Sequence, residues 1–151
     1  MPGKRVPSVP SSVPPRPSQR ERGPGGEGTL PTINKHLTQD QIARYAEASG
    51  DHNPLHIDPA FAATTQFGGT IAHGMLVLAF VSEMLTAAFG RAWLDSGQLK
   101  IRFRAPARPG DTVTATGRVT RAEDNHLTCA VECRSSSGDV LIDGSAEVWH
   151  S

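Results

Sequence analysis

The sequence has only two cysteines, Cys129 and Cys133, and no uninterrupted apolar run longer than Met75–Val81. A helix that spans a bilayer needs about 20 apolar residues, so no transmembrane helix is expected. The cysteines lie four apart in a stretch that alternates like a strand. At about 3.3 Å per residue their Cα atoms would stand ~13 Å apart, beyond the reach of a disulfide. Both are expected to be reduced and to face a core. The chain carries no net charge at neutral pH, a poor footprint for nucleic acid or a membrane surface. No apolar segment accompanies the N-terminal arginines, so no secretory signal is expected, and the prolines among them oppose an amphipathic transit helix. Internal repeats and a glycine-rich phosphate loop are missing too. These absences point to a cytoplasmic chain with no nucleic-acid or membrane partner.

What is present divides unevenly. Residues 1–30 hold seven of the twelve prolines, five glycines and few large apolar residues, with a net charge of +3 against −3 in the remainder. Such a composition cannot bury enough surface to offset the entropy of ordering. A disordered tail over 1–30 and a single domain over 31–151 are expected, the latter large enough for a core of its own.

Within the domain, residues 32–37 read as a first strand. Thr38-Gln39-Asp40-Gln41 is a capping box, flanked by Leu37 and Ile42 as a hydrophobic staple, and Gly50 is placed to stop the helix. Pro54 is expected to keep its neighbours irregular. Asp58-Pro59 starts a short second helix that ends near Thr64. Residues 71–89 are apolar on every side, the pattern of a helix buried all round, and Gly90 ends it. Four alternating stretches follow as consecutive antiparallel strands, separated by Pro109-Gly110, Asp124-Asn125 and Ser137-Gly138 turns. A sheet with one apolar face and one fully apolar helix bury each other if the sheet wraps the helix. The fold class expected is α+β.

The chemistry concentrates between Ser49 and Met75, in SGDHNPLHIDPAFAATTQFGGTIAHGM. Asp51 and His56 are the leading pair: across a proline-containing loop, a carboxylate and an imidazole can converge on one small molecule such as water. Zinc held by Asp51, His52, His56 and Asp58 is the other chemical reading, and Pro54 argues against the helix that the His52–His56 spacing would need. Asn53 reads as an organiser of loop backbone. His73-Gly74 opens the apolar helix, where free N–H groups favour negative charge developing on an oxygen. Gly74 either admits a substrate carbonyl or permits tight packing. Ser82 either faces the site or bonds back to its own helix.

That stretch closely resembles the signature of the MaoC-like (R)-specific enoyl-CoA hydratases, in particular the short ones that feed polyhydroxyalkanoate synthesis. The resemblance runs in outline from Leu37 to the C-terminus. It implies the hotdog fold, a curved antiparallel sheet around a central helix, assembled as a homodimer, a dimer of dimers or a trimer of dimers. It implies catalytic roles for Asp51 and His56, an oxyanion role for Gly74 and an active-site role for Ser82, with Asn53 and His73 matching further motif positions. Gly68-Gly69 departs from the pattern, since related members often carry charged or bulkier residues there.

The activity implied is reversible syn hydration of a trans-2-enoyl thioester to the (R)-3-hydroxyacyl thioester, with acyl-CoA as substrate and no metal or redox cofactor. A dehydratase acting on acyl carrier protein is the close alternative. Its carrier phosphates would meet Lys100, Arg102, Arg104 or Arg108, unless these form a solvated strand face. A non-catalytic acyl-thioester-binding or assembly subunit is the alternative from another class.

Overall fold

The structure, a computed structural model, describes residues 28–151. The expectation of disorder over 1–27 lies outside the described residues. Strand β1 (Ile33–His36) leads into helices α1 (Gln39–Ser49), α2 (Pro54–Ile57), α3 (Pro59–Ala63), α4 (Gly74–Phe89) and α5 (Arg91–Ser96). Strands β2 (Gln98–Phe103), β3 (Thr112–Ala122), β4 (His126–Ser135) and β5 (Val140–Trp149) complete the chain. One antiparallel sheet results, in the order β1-β3-β4-β5-β2. Its apolar face packs on α4, where Leu76, Val77, Phe80, Val81, Met84 and Leu85 meet a sheet face that includes Val113, Ala115, Val131, Cys133 and Ile142. This is the α+β hotdog arrangement expected from the sequence.

The strands follow the alternation, but not the simple meander. β2 does not pair with β3; it crosses to the far edge and pairs with β5, Leu99 opposite Ala146 and Ile101 opposite Gly144. Where α4 presses on the sheet, β3 carries Gly117, at which a Cβ would fall 2.9 Å from both Leu30 Cδ1 and Met84 Cε. Leu30 is itself buried, its N–H bonds Gly117 O, and Thr29 bridges Arg118. A domain boundary at residue 31 therefore cuts off residues that belong to the packed body. Cys129 and Cys133 are free and face the core. Burial pushes their thiols up, to about 11 for Cys129 and about 12 for Cys133, where the neighbouring Glu132 charge adds to the effect.

Helix α1 starts and stops as its caps dictate. The Thr38 hydroxyl accepts from Gln41 N–H, and Gly50 closes the helix at φ 77° with its N–H on Ala46 O. Only half of the capping box forms: Gln41 Oε1 is buried without a partner. The central helix departs further from expectation. Residues 71–73 approach it outside any helix or strand and it begins at Gly74. One face, Met75, Ala79, Glu83 and Ala87, is exposed, with Glu83 paired to Lys35 at 2.9 Å. Residues four apart share a face, so α4 is buried over most of its girth and open along one stripe. After Gly90 the chain forms α5, a short helix the sequence reading had not placed, and it buries Trp93.

Candidate active site

The loop between α1 and α2 is built by its own side chains. Asp51 N–H bonds Ser49 Oγ at 3.2 Å, Asn53 N–H bonds Asp51 Oδ1 at 3.2 Å, and Leu55 N–H bonds Asn53 Oδ1 at 3.0 Å. Asn53 is thus the backbone organiser expected, and the N-cap of α2. Pro54 does not keep the chain irregular. It occupies the first position of a helical turn, where its fixed φ suits the helix and its missing N–H costs nothing. Asp58 repeats the device for α3, its carboxylate accepting from Ala60 and Phe61 N–H.

That turn aims His56 at Asp51. His56 Nδ1 lies 2.8 Å from Ile71 O; a carbonyl only accepts, so Nδ1 carries the proton and Nε2 presents a lone pair in the uncharged ring. Nε2 stands 4.0 Å from Asp51 Oδ2, with His56 largely buried and Asp51 about half exposed. Asp51 thereby divides its labour: Oδ1 holds the loop and Oδ2 faces the imidazole. The gap is too long for a direct hydrogen bond. A water at ~2.8 Å from each atom would subtend roughly 90° and donate one hydrogen to each.

His73 completes the cluster. It is 2% exposed, its Nε2 sits 3.0 Å from Asp51 O, and its ring stacks on His56 with centroids 3.9 Å apart and planes 26° apart. Gly74 follows as the first residue of α4. Leu76 and Val77 N–H both bond His73 O, and the preceding N–H groups, at Gly74 and Met75, come before the first intrahelical bonds. Gly74 is exposed. A Cβ there would meet the Phe103 ring edge at 3.0 Å, so the neighbour that limits this position is an exposed phenyl and not the packed core.

Other candidates lie elsewhere. Ser82 Oγ accepts from Trp93 Nε1 at 3.1 Å, which ties α4 to α5. His52 neighbours Glu47 at 3.7 Å and Asp58 caps a helix, so neither joins a metal set with His56. Ligand atoms of Asp51, His56 and His73 do lie within 4.8 Å of one another. Imidazole binds a metal in its ring plane, however, and the lone pairs of two stacked rings lie in separate, nearly parallel planes. A shared ion would sit out of plane for one of them, so the trio is shaped better for proton chemistry than for a metal. Lys100, Arg102 and Arg104 line an open groove of about 510 Å³ on the outer face of the sheet, where Arg104 pairs with Asp143 at 3.0 Å. Phe103, on the opposite face of that strand, reaches Gly74. Arg108 is nearer the site, its guanidinium 3.8 Å from the position of a Cβ on Gly69.

One residue of the site escaped the sequence reading. Gln39 donates from Nε2 to His56 O at 2.8 Å and accepts at Oε1 from Thr70 Oγ1 at 2.7 Å. It joins the turn that carries His56 to the segment that leads into His73. Its place in the first turn of α1, beside Thr38, reads simply as helix surface; only its proximity to a functional loop 17 residues on marks it.

The chain matches the family model described as "MaoC like domain" over residues 23–138. It is 36% identical over 124 residues to an (R)-specific enoyl-CoA hydratase of Rhodospirillum rubrum, covering 81% of this chain and 85% of that protein. It is 36% identical to 3-hydroxyacyl-thioester dehydratase Z of Mycobacterium tuberculosis, covering 74% and 75% respectively. Among solved structures, the (R)-hydratase from A. caviae involved in PHA biosynthesis superposes with a TM-score of 0.73 at 33% identity, covering 82% of this chain and 96% of that one. With most of its length matched by the family model and the fold shared with a solved relative, the chain belongs to the MaoC-like domain family.

Proposed function

We propose that the chain is an (R)-specific enoyl-CoA hydratase, a hydro-lyase that adds water reversibly and syn to a trans-2-enoyl thioester. One observation carries the reading: Asp51 Oδ2 and His56 Nε2 face each other across 4.0 Å beside the open N-terminus of α4. Two acceptors hold one water by both hydrogens, leaving its lone pair for C3 of the substrate. Gly74 N–H receives the thioester oxygen, assisted by the positive end of the α4 dipole. The water oxygen bonds C3, the C2–C3 π pair moves to C2, and the pair that took the water's proton returns a proton to C2 on the same face.

The relatives' names support CoA as the carrier, with an acyl carrier protein as the alternative. Arg108 is the cation best placed to meet carrier phosphates. The reading includes a homodimer in the cytoplasm, supplying (R)-3-hydroxyacyl units of the kind polyhydroxyalkanoate synthesis consumes. Among the described residues the outer edges of β1 and β2 pair with no further strand, and this, with the exposed Met75 and Phe103, supports an assembled state. No helix among the described residues is long and apolar enough to cross a membrane.

The test is loss of enoyl absorbance when purified protein meets crotonyl-CoA. Asp51→Asn and His56→Ala should each lower turnover by about 10²- to 10⁴-fold. Acting as a unit, they should combine to much less than the product of the single effects. Near-normal turnover in either folded variant would overturn the reading.

A further inference from the structure

We infer that His73 is a positioning residue for the Asp51–His56 pair, holding the backbone of one and the ring face of the other; this rests on the hydratase reading. His73 sits at the N-cap of α4 yet makes no capping hydrogen bond, although a polar side chain there usually serves the helix N–H groups. Its imidazole turns instead to Asp51, with Nε2 3.0 Å from the carbonyl oxygen. Nε2 must therefore carry the proton, which leaves Nδ1 as an acceptor, and that atom is buried without a partner. A buried acceptor left unpaired is costly. It is explained if the ring is held for its other two contacts.

Those contacts restrain what the rest of the site leaves loose. The hydrogen bond from His56 Nδ1 to Ile71 O fixes one point of the His56 ring but not rotation about it. The His73 ring, stacked at 3.9 Å, blocks that rotation and keeps Nε2 aimed at Asp51 Oδ2. Tyr45 packs against His73 at 4.8 Å and backs the stack from α1.

Two substitutions separate the roles. His73→Phe keeps the stack and deletes the donor to Asp51 O; His73→Leu deletes both and keeps the bulk. His73 is buried away from substrate, so each variant should lower kcat by ~10- to 100-fold, the scale of a misplaced catalytic group, with KM little changed. The His73 ring shields the His56 ring protons stacked on it, so their NMR shifts in substrate-free protein should stay displaced in His73→Phe and return to ordinary values in His73→Leu, a readout that does not require activity. If the wild-type protein fails to hydrate crotonyl-CoA, the hydratase reading falls while the NMR comparison still judges the stack. An unchanged kcat in folded His73→Phe overturns the hold on Asp51. Equal His56 ring-proton shifts in the wild-type and Leu proteins overturn the stacking role. Should His73→Leu not fold, a Phe variant with lowered kcat and still-displaced His56 ring-proton shifts supports the inference, and one with ordinary shifts overturns it.

Discussion

Substituting Gly74 with alanine and with proline isolates a single backbone N–H. Gly74 has no positive φ, so neither residue is barred by the backbone. His73 before it has φ −59° and ψ 135°, within the ψ range of about +120 to +160° that a following proline requires. Position 74 is also the first of α4, where proline is well tolerated. Both variants place a Cβ at 3.0, 3.3 and 3.4 Å from Phe103 Cε1, Cδ1 and Cζ. Phe103 is 54% exposed, so its ring can yield. The reduced freedom of the unfolded chain contributes about 0.4–1 kcal/mol in favour of either variant, against the tight contact, and Tm should stay within a few degrees of wild type. Alanine keeps the N–H and proline removes it. Loss of one oxyanion donor costs ~2.7–4 kcal/mol of barrier, about 10²- to 10³-fold in kcat. Folded Gly74→Pro should therefore turn over crotonyl-CoA about 10²- to 10³-fold more slowly than Gly74→Ala, with Tm and turnover measured on one sample. Equal turnover in two well-folded variants would refute the assignment of the Gly74 N–H to the thioester oxygen.

Gln39→Ala removes two hydrogen bonds, each worth about 1 kcal/mol, so Tm should drop by several degrees and turnover should fall with it; calorimetry that shows neither would remove Gln39 from the site. A chain that begins at Pro31 loses the buried Leu30 and with it about 1.5–3 kcal/mol, so it should unfold at lower denaturant than one that begins at Gly28, while keeping its turnover per folded molecule. Cys129 and Cys133 hold their protons in the folded state well above the ordinary thiol value of 9.0, and they should resist a thiol reagent at pH 8 until the protein is unfolded. Between pH 9 and about 11 the unfolded chain loses these protons first, so stability should fall as pH rises through that window.

Much of the candidate site was legible because its residues signal locally. Asp51, Asn53 and His56 lie within six positions of one another, and Thr38, Gly50 and Asp58-Pro59 carry capping chemistry that depends only on near neighbours. Asn53-Pro54 carries the same signature as Asp58-Pro59, and reading Pro54 only as a breaker hid the turn that aims His56. What stayed hidden depends on contacts across the fold. The path of β2 to the far edge beside β5 is set by packing and not by alternation, which is the same on either side of the sheet. The stack of His73 on His56 and the bridge made by Gln39 join segments 17 residues apart in sequence. Ser82 could not be oriented without Trp93, because a hydroxyl on an apolar helix has no direction until its partner is known. The open stripe on α4 escaped for a related reason: Met75 and Ala79 are apolar, and composition alone places them in a core.

On the proposed mechanism, Asp51, His56 and the α4 N-terminus add water to one face of an enoyl thioester. The most direct measurement is the configuration of the product formed from trans-crotonyl-CoA, resolved on a chiral column after hydrolysis of the thioester. Asp51→Asn and His56→Ala serve as controls. The wild-type protein should give 3-hydroxybutyrate of (R) configuration, and each control a rate lower by about two to four orders of magnitude. An (S) or racemic product, or no hydration by well-folded wild-type protein, would contradict the mechanism.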